Sequence, residues 1–140
     1  MFLINQKMNK SNSQYTNIRK QNKNEILEDY VEAIQEISEV KGDVKNADLA
    51  AHFGVSQATI NKNLKRLINF KLASSEPYRS IFLTDEGKKL AVVSKQKHKI
   101  VYDFLIKLGV SKKNAQFDSE GIEHHVSEET LKLMKNFKKY

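Results

Sequence analysis

The chain contains no cysteine, which excludes a disulfide framework and any thiolate metal site. It has a single proline, Pro77, and no apolar run near the ~20 residues a membrane-spanning helix needs. Its opening, Met1-Phe-Leu-Ile-Asn, turns polar too soon for a secretory leader, so a cytoplasmic protein without membrane attachment is expected. No internal repeat is visible. What remains is 140 residues, 39% hydrophobic and 29% charged, the profile of a mainly helical globule. That length suits one domain or two small ones sharing a core.

Charge is unevenly placed. Residues 1–24 hold five Lys/Arg and no acid, whereas residues 25–40 hold six acids and no base. Residues 41–99 carry twelve Lys/Arg against five acids, and residues 100–140 seven against six. The net charge of +7 therefore matches that of the middle, residues 41–99, because the basic start and the acidic stretch after it nearly cancel. A basic middle can neutralise phosphates and release counterions, although a solvated Lys-rich surface has the same composition. Residues 1–24, rich in Asn, Gln, Lys and Ser, read as a disordered basic tail.

A first helix is expected from an Asn24 cap to Lys41, ended by Gly42, with Ile26, Tyr30, Ala33, Ile34, Ile37 and Val40 as its buried stripe. Glu25 and Glu28 in its first turn suit the helix dipole. Residues 46–53 read as a short helix stopped by Gly54, and Ser56 caps a longer one from Gln57 to about Asn69. Leu49, Phe53, Val55, Ile60, Leu64 and Leu67 form their inward face. This short helix, glycine turn and second helix make the pattern of a major-groove reader. The outward face offers Ser56, Gln57, Ala58, Asn61, Lys62 and Lys65. Gln and Asn can pair with adenine, and Lys with guanine or phosphate; Lys65, further along, suits phosphate. Residues 71–76 and 80–84 flank Pro77 as a strand–turn–strand wing, with Arg79 at its tip. Thr84 opens a long helix running to Gly109, with Leu90, Val93, Val101, Phe104 and Leu108 inside. A short helix is expected around residues 118–125 and a last one from Ser127.

Asp29 and Glu32 lie three apart on one face of the first helix. If residues 120–125 are helical, Glu120, Glu123 and His124 share a face at i, i+3 and i+4. With His98 these make four carboxylates and two imidazoles, a hard-to-borderline set that favours Mn²⁺ or Fe²⁺ over Zn²⁺ or Cu⁺. Six donors exceed the need of one ion if carboxylates bridge, which allows a two-ion site. Taken alone, each of these groups is more often solvated surface than a metal site. His125 points about a quarter-turn away, and His52 reads as packing or surface.

Several segments together resemble the manganese transport regulators, a branch of the diphtheria-toxin-repressor family. They are Glu28-Asp-Tyr-Val-Glu32, Gly54-Val-Ser-Gln57, Leu64-Lys-Arg-Leu67, Phe82-Leu-Thr-Asp-Glu-Gly87 and Glu120-Gly-Ile-Glu-His-His-Val-Ser-Glu-Glu-Thr130. The resemblance covers residues 25–140, and the Glu-Gly-Ile-Glu-His-His stretch is its most specific part. It implies a mainly α fold: a winged helix-turn-helix DNA-binding domain over residues 25–90 and a helical metal-binding and dimerisation domain over residues 91–140. It implies a homodimer that binds a pseudo-palindromic double-stranded operator when Mn²⁺ is bound. It carries over Asp29, Glu32, His98, Glu120, Glu123 and His124 as ligands, with Glu120 and Glu123 bridging two ions. The iron-sensing branch differs in having an extra SH3-like domain, which this chain is expected to lack, and a sulfur ligand where this chain offers Glu123. Ser80 departs from the glycine common in similar wings. Three other readings stay open: an Fe²⁺-responsive regulator, a winged-helix regulator indifferent to metal, and a small two-metal hydrolase.

Overall fold

The computed structural model describes residues 2–75 and 80–139, with side chains described for 14–20, 22–75 and 80–139. Six helices and one short hairpin follow in order: α1 (Phe2–Lys41), α2 (Asn46–Phe53), α3 (Gln57–Asn69), β1 (Ala73–Ser74), β2 (Phe82–Leu83), α4 (Asp85–Leu108), α5 (Lys112–Ile122) and α6 (Glu128–Asn136). The capping signals act as their chemistry requires. Ser56, Thr84 and Ser127 accept from the backbone N–H three residues on and start α3, α4 and α6. Gly54 and Gly109 end α2 and α4 with φ of 66° and 99°, a region in which a side chain is strained.

Helix α1 is longer than the cap at Asn24 predicts. Residues 2–24, read as a disordered tail, continue the helix in one piece. The physical reason is continuity: no glycine or proline interrupts residues 2–41, so a helix anchored by residues 26–37 propagates backwards one hydrogen bond per residue. The last short helix also differs. It begins earlier, at Lys112, because Ser111 accepts from Asn114 N and caps it, and it stops at Ile122 rather than passing through His125.

Two apolar clusters divide the chain. The first gathers Leu27, Tyr30, Val31, Ala33 and Ile34 of α1 with Val44, Leu49, Ile60, Leu64, Leu67, Ala73, Ile81 and Ala91. The second, smaller one holds Val101, Leu105, Ala115 and Leu131. Helix α4 belongs to both and is the rod between them. Because it changes partners midway, its buried row is Ala91, Ser94, Val101 and Leu105, whereas Val93 (45% exposed) and Leu108 (53%) face outward, against expectation. Val40 (91%) also lies outside, on the last turn of α1 beyond its core contacts, and Val55 (39%) lies in the turn before α3.

The hairpin pairs Ala73 with Leu83 and Ser74 with Phe82, antiparallel, and an isolated bridge joins Val44 to Ile81. Gly87 at the start of α4 sits under it. A Cβ there would lie 2.0 Å from the Leu72 carbonyl oxygen, which accepts from Thr84 N at 3.0 Å. Only glycine lets the wing rest this close on α4.

Candidate metal centre and DNA-reading surface

Helix α1 is two-faced in charge. Glu25, Glu28, Asp29 and Glu32 follow an i, i+3, i+4, i+7 spacing and so occupy one side. Leu27, Tyr30, Val31 and Ile34 bury themselves in the first core. The acidic side meets α4 and the segment after α5.

There the expected residues come together. His98 Nδ1 of α4 lies 2.9 Å from Glu123 Oε2 and 3.6 Å from Glu120 Oε1. His124 Nε2 lies 2.8 Å from Asp29 Oδ1 and 3.2 Å from Glu123 Oε1. Ligand-type atoms of His98, Glu120 and Glu123 fall within 4.8 Å of one another, and so do those of Asp29, Glu32 and Glu123. A third such group joins Glu25, Asp29 and His124, so Glu123 and Asp29 each belong to two groups, whereas Glu120 belongs to one. Glu123 and His124 are buried, at 0% and 6% exposure. His98 Nδ1, both Glu123 oxygens and His124 Nε2 are buried without an aligned hydrogen bond. The short distances thus join atoms that aim into shared space rather than at each other. Buried polar atoms left this way are costly unless something else satisfies them, and a cation suits a set of oxygens and imidazole nitrogens.

Electrostatics agree. Burial, then the charges of Glu123, Glu36 and Glu120, push Glu32 up to about 7 against the Ser94 hydroxyl that donates to it at 3.1 Å. Burial, with Glu123 and Asp29, also raises Glu120 against the pull of His98. At His124 burial opposes the charged ring, but Asp29, Glu123 and Glu28 overcome it and push its pKa up to about 12. Crowded carboxylates here hold protons or an imidazolium in place of external positive charge.

Spacing alone did not single out the residues that brace this cluster. Glu28, which the sequence reading gives no part in the metal site, is buried and pairs with His124 Nδ1 at 2.8 Å. Lys97 Nζ donates to its other oxygen at 2.9 Å. Burial pushes Glu28 up, yet His124 and Lys97 together hold it below the usual carboxylate range. With Nδ1 held by Glu28, Nε2 is the nitrogen turned into the cluster. His125 turns outward and meets Glu25 at 2.8 Å. The acidic stripe on α1 was the available signal for Glu25 and Glu28; nothing local marks Lys97 or Ser94.

The reading surface lies on the other side of α1. Tyr30 stacks on Phe53 of α2 at 4.6 Å, and its Oη accepts from Asn63 Nδ2 of α3 at 3.0 Å. Asp29 and Tyr30, neighbours in sequence, thus address the cluster and the helix-turn-helix respectively. Ser56, Gln57, Ala58, Asn61, Lys62 and Lys65 are all exposed, as is Thr59. The Ser56 hydroxyl is engaged as the cap of α3, accepting from Thr59 N at 3.2 Å. Asn61 Oδ1 accepts from Asn46 Nδ2, so its oxygen is engaged within the protein. Arg79, with the wing turn, lies outside the described residues.

A winged helix-turn-helix sharing its first helix with a carboxylate–imidazole cluster defines a metal-dependent DNA-binding regulator. Residues 24–81 match the family model of the iron dependent repressor N-terminal DNA binding domain, and residues 84–140 that of the iron dependent repressor metal binding and dimerisation domain. The transcriptional regulator MntR of Escherichia coli O157:H7 is 46% identical over 123 residues, 88% of this chain and 79% of that protein. The HTH-type transcriptional regulator MntR of Bacillus subtilis (strain 168) is 34% identical over 101 residues, 72% of this chain and 71% of that protein. Among solved structures, the metal-dependent transcriptional regulator MtsR has a TM-score of 0.70 at 27% identity, covering 77% of this chain and 51% of that one. The chain thus spans about half the length of that solved regulator. It belongs to the diphtheria-toxin-repressor family of metal-dependent transcriptional regulators, in the manganese transport regulator branch. These are regulators, not enzymes, and the hydrolase reading is set aside. Among the described residues no helix is long and apolar enough to cross a membrane.

Proposed function

We propose that this chain is a Mn²⁺-responsive transcriptional repressor that binds a pseudo-palindromic operator as a homodimer. The observation that carries the reading is the meeting of six donors from α1, α4 and the end of α5 around Glu123, on the helix that also anchors the reader. Asp29, Glu32, His98, Glu120, Glu123 and His124 would hold the metal, and the sharing of Glu123 and of Asp29 between donor groups supports two ions per chain. A bound divalent cation supplies positive charge that offsets the carboxylates. The chain's residues do the rest. Without that charge Asp29, Glu32, Glu120 and Glu123 repel and strain the seam between α1 and α5. With it they close the seam, and α1 transmits its position to α2 and α3 through Tyr30. Recognition helices then lie nearer the one-turn spacing of operator half-sites. Ser56, Gln57, Ala58, Asn61, Lys62, Lys65 and Arg79 would meet DNA, with Gln57 and Asn61 at base edges and Lys65 on phosphate. Solved neighbours described as the manganese regulator SloR and as a manganese-dependent transcriptional repressor complexed with manganese favour Mn²⁺ over Fe²⁺. Phe117 and Leu133, 79% and 67% exposed on the last two helices, offer an apolar surface for a second copy.

The test is a manganese titration of operator binding, with operators selected from random duplexes, comparing the parent with Glu123→Ala. The parent should gain affinity about 5- to 150-fold, the range of ordinary allosteric coupling, and the variant should gain little. Equal binding by both at every manganese level would refute metal control. A stronger response to anaerobic Fe²⁺ would move the signal to iron.

A further inference from the structure

The charge pattern of residues 1–24 finds no use in the metal centre, and its helical form changes what it can do. Thr16, Arg19, Lys20 and Lys23 continue, turn by turn, the face of α1 that carries Leu27 and Tyr30. Past Ile26 the core ends but the helix does not, so this face emerges as a row of cations. It lines one open groove with Arg66 of α3. The acids of α1 lie on the opposite side, where Glu25 is engaged by His125 at 2.8 Å. Among the described residues Arg19, Lys20, Lys23 and Arg66 meet no carboxylate within ion-pair distance. Arg66 adjoins Lys65, and Lys62 lies one turn earlier on α3, so the groove is continuous with the basic flank of the reading helix.

We propose that this groove, between the amino-terminal extension of α1 and the carboxy-terminal end of α3, binds the phosphate backbone of duplex DNA beside the bases that α3 reads. The proposal rests on the reading of the chain as a DNA-binding regulator. Charge complementarity selects the partner. Cations three or four residues apart on a helix stand about 5–6 Å from one another, a row that can follow a line of phosphates. Such interactions set position and affinity without reading sequence. The extension therefore lengthens the footprint and leaves base preference to α3.

The experiment measures binding of the full chain, with manganese, to a mixed-sequence duplex several turns long over a range of salt. Three proteins are compared: the parent, the triple variant Arg19→Gln, Lys20→Gln, Lys23→Gln, and a control carrying Lys112→Gln, Lys113→Gln, Lys139→Gln. The control removes the same charge from exposed positions distant in sequence from the groove. Removing one cation from a phosphate lowers the slope of log K against log salt by about 0.9, so the slope should fall by about 2–3 in the groove variant and almost not at all in the control. Circular dichroism and manganese stoichiometry should match the parent in both variants, since all six side chains are exposed. An unchanged slope in the groove variant, or an equal fall in the control, overturns the proposal. A parent that binds no DNA at any salt overturns the regulator reading itself, and this inference with it.

Discussion

Glu123 joins two of the three donor groups, yet Glu28, one carboxylate further out, decides how His124 faces the cluster. Glu28→Gln keeps the shape but removes the charge that holds His124 Nδ1 and Lys97. Loss of such an outer partner should weaken manganese binding about 10- to 100-fold while the fold persists. Competition with a fluorescent chelator measures this, and unchanged affinity would remove the orienting role. Proton linkage belongs to the same scale. Without metal, Glu32 holds its proton to about pH 7 and His124 to about 12. Metal takes only the deprotonated forms. Below pH 7 binding must therefore release protons from both residues, and above it chiefly from His124. Affinity should rise with pH throughout, more steeply below about 7. Calorimetric titrations in two buffers of different ionisation enthalpy, on either side of that pH, read the protons directly; identical heats in both buffers would contradict the linkage.

At the scale of elements, α1 and the wing matter most. The wing rests on α4 only because Gly87 has no Cβ, which would lie 2.0 Å from the Leu72 oxygen. Gly87→Ala should cost about 1–3 kcal/mol by overpacking. Thermal unfolding followed by circular dichroism checks it, and an unshifted midpoint would mean the hairpin yields freely. Helix α1 works as a rigid spacer. One side gives Asp29 and Glu32 to the cluster, and the other gives Tyr30 to Phe53 and Asn63. A small displacement of the acidic side must move the helix-turn-helix, because a packed helix shifts as a body.

For the whole molecule, α4 joins the two apolar clusters, and the carboxylates crowd where α1 meets α4 and the segment after α5. Metal that binds only the folded chain stabilises it by mass action. Manganese at about 100 times its Kd should add about 2.7 kcal/mol to unfolding, and a chelator should remove the gain. Melts with and without chelator test this. A midpoint that ignores manganese would argue that the cluster does not hold it.

Caps, glycine stops, the exposed face of α3 and six side chains that the fold gathers into one cluster were all legible before any folding was considered. Each is written in local spacing: Ser56 and Thr84 before a helical run, Gly54 after one, Glu120-Gly-Ile-Glu-His-His as one stretch. Spacing did not reveal that residues 2–24 extend α1, because polar composition hides a helix that borrows its nucleus from the next segment. It misplaced Val93 and Leu108, because α4 exchanges one partner for another along its length. That Glu28 and Lys97 brace His124 emerges solely from packing. Residues 28, 97 and 124 meet when α1, α4 and the turn after α5 come together, and no local pattern encodes that meeting.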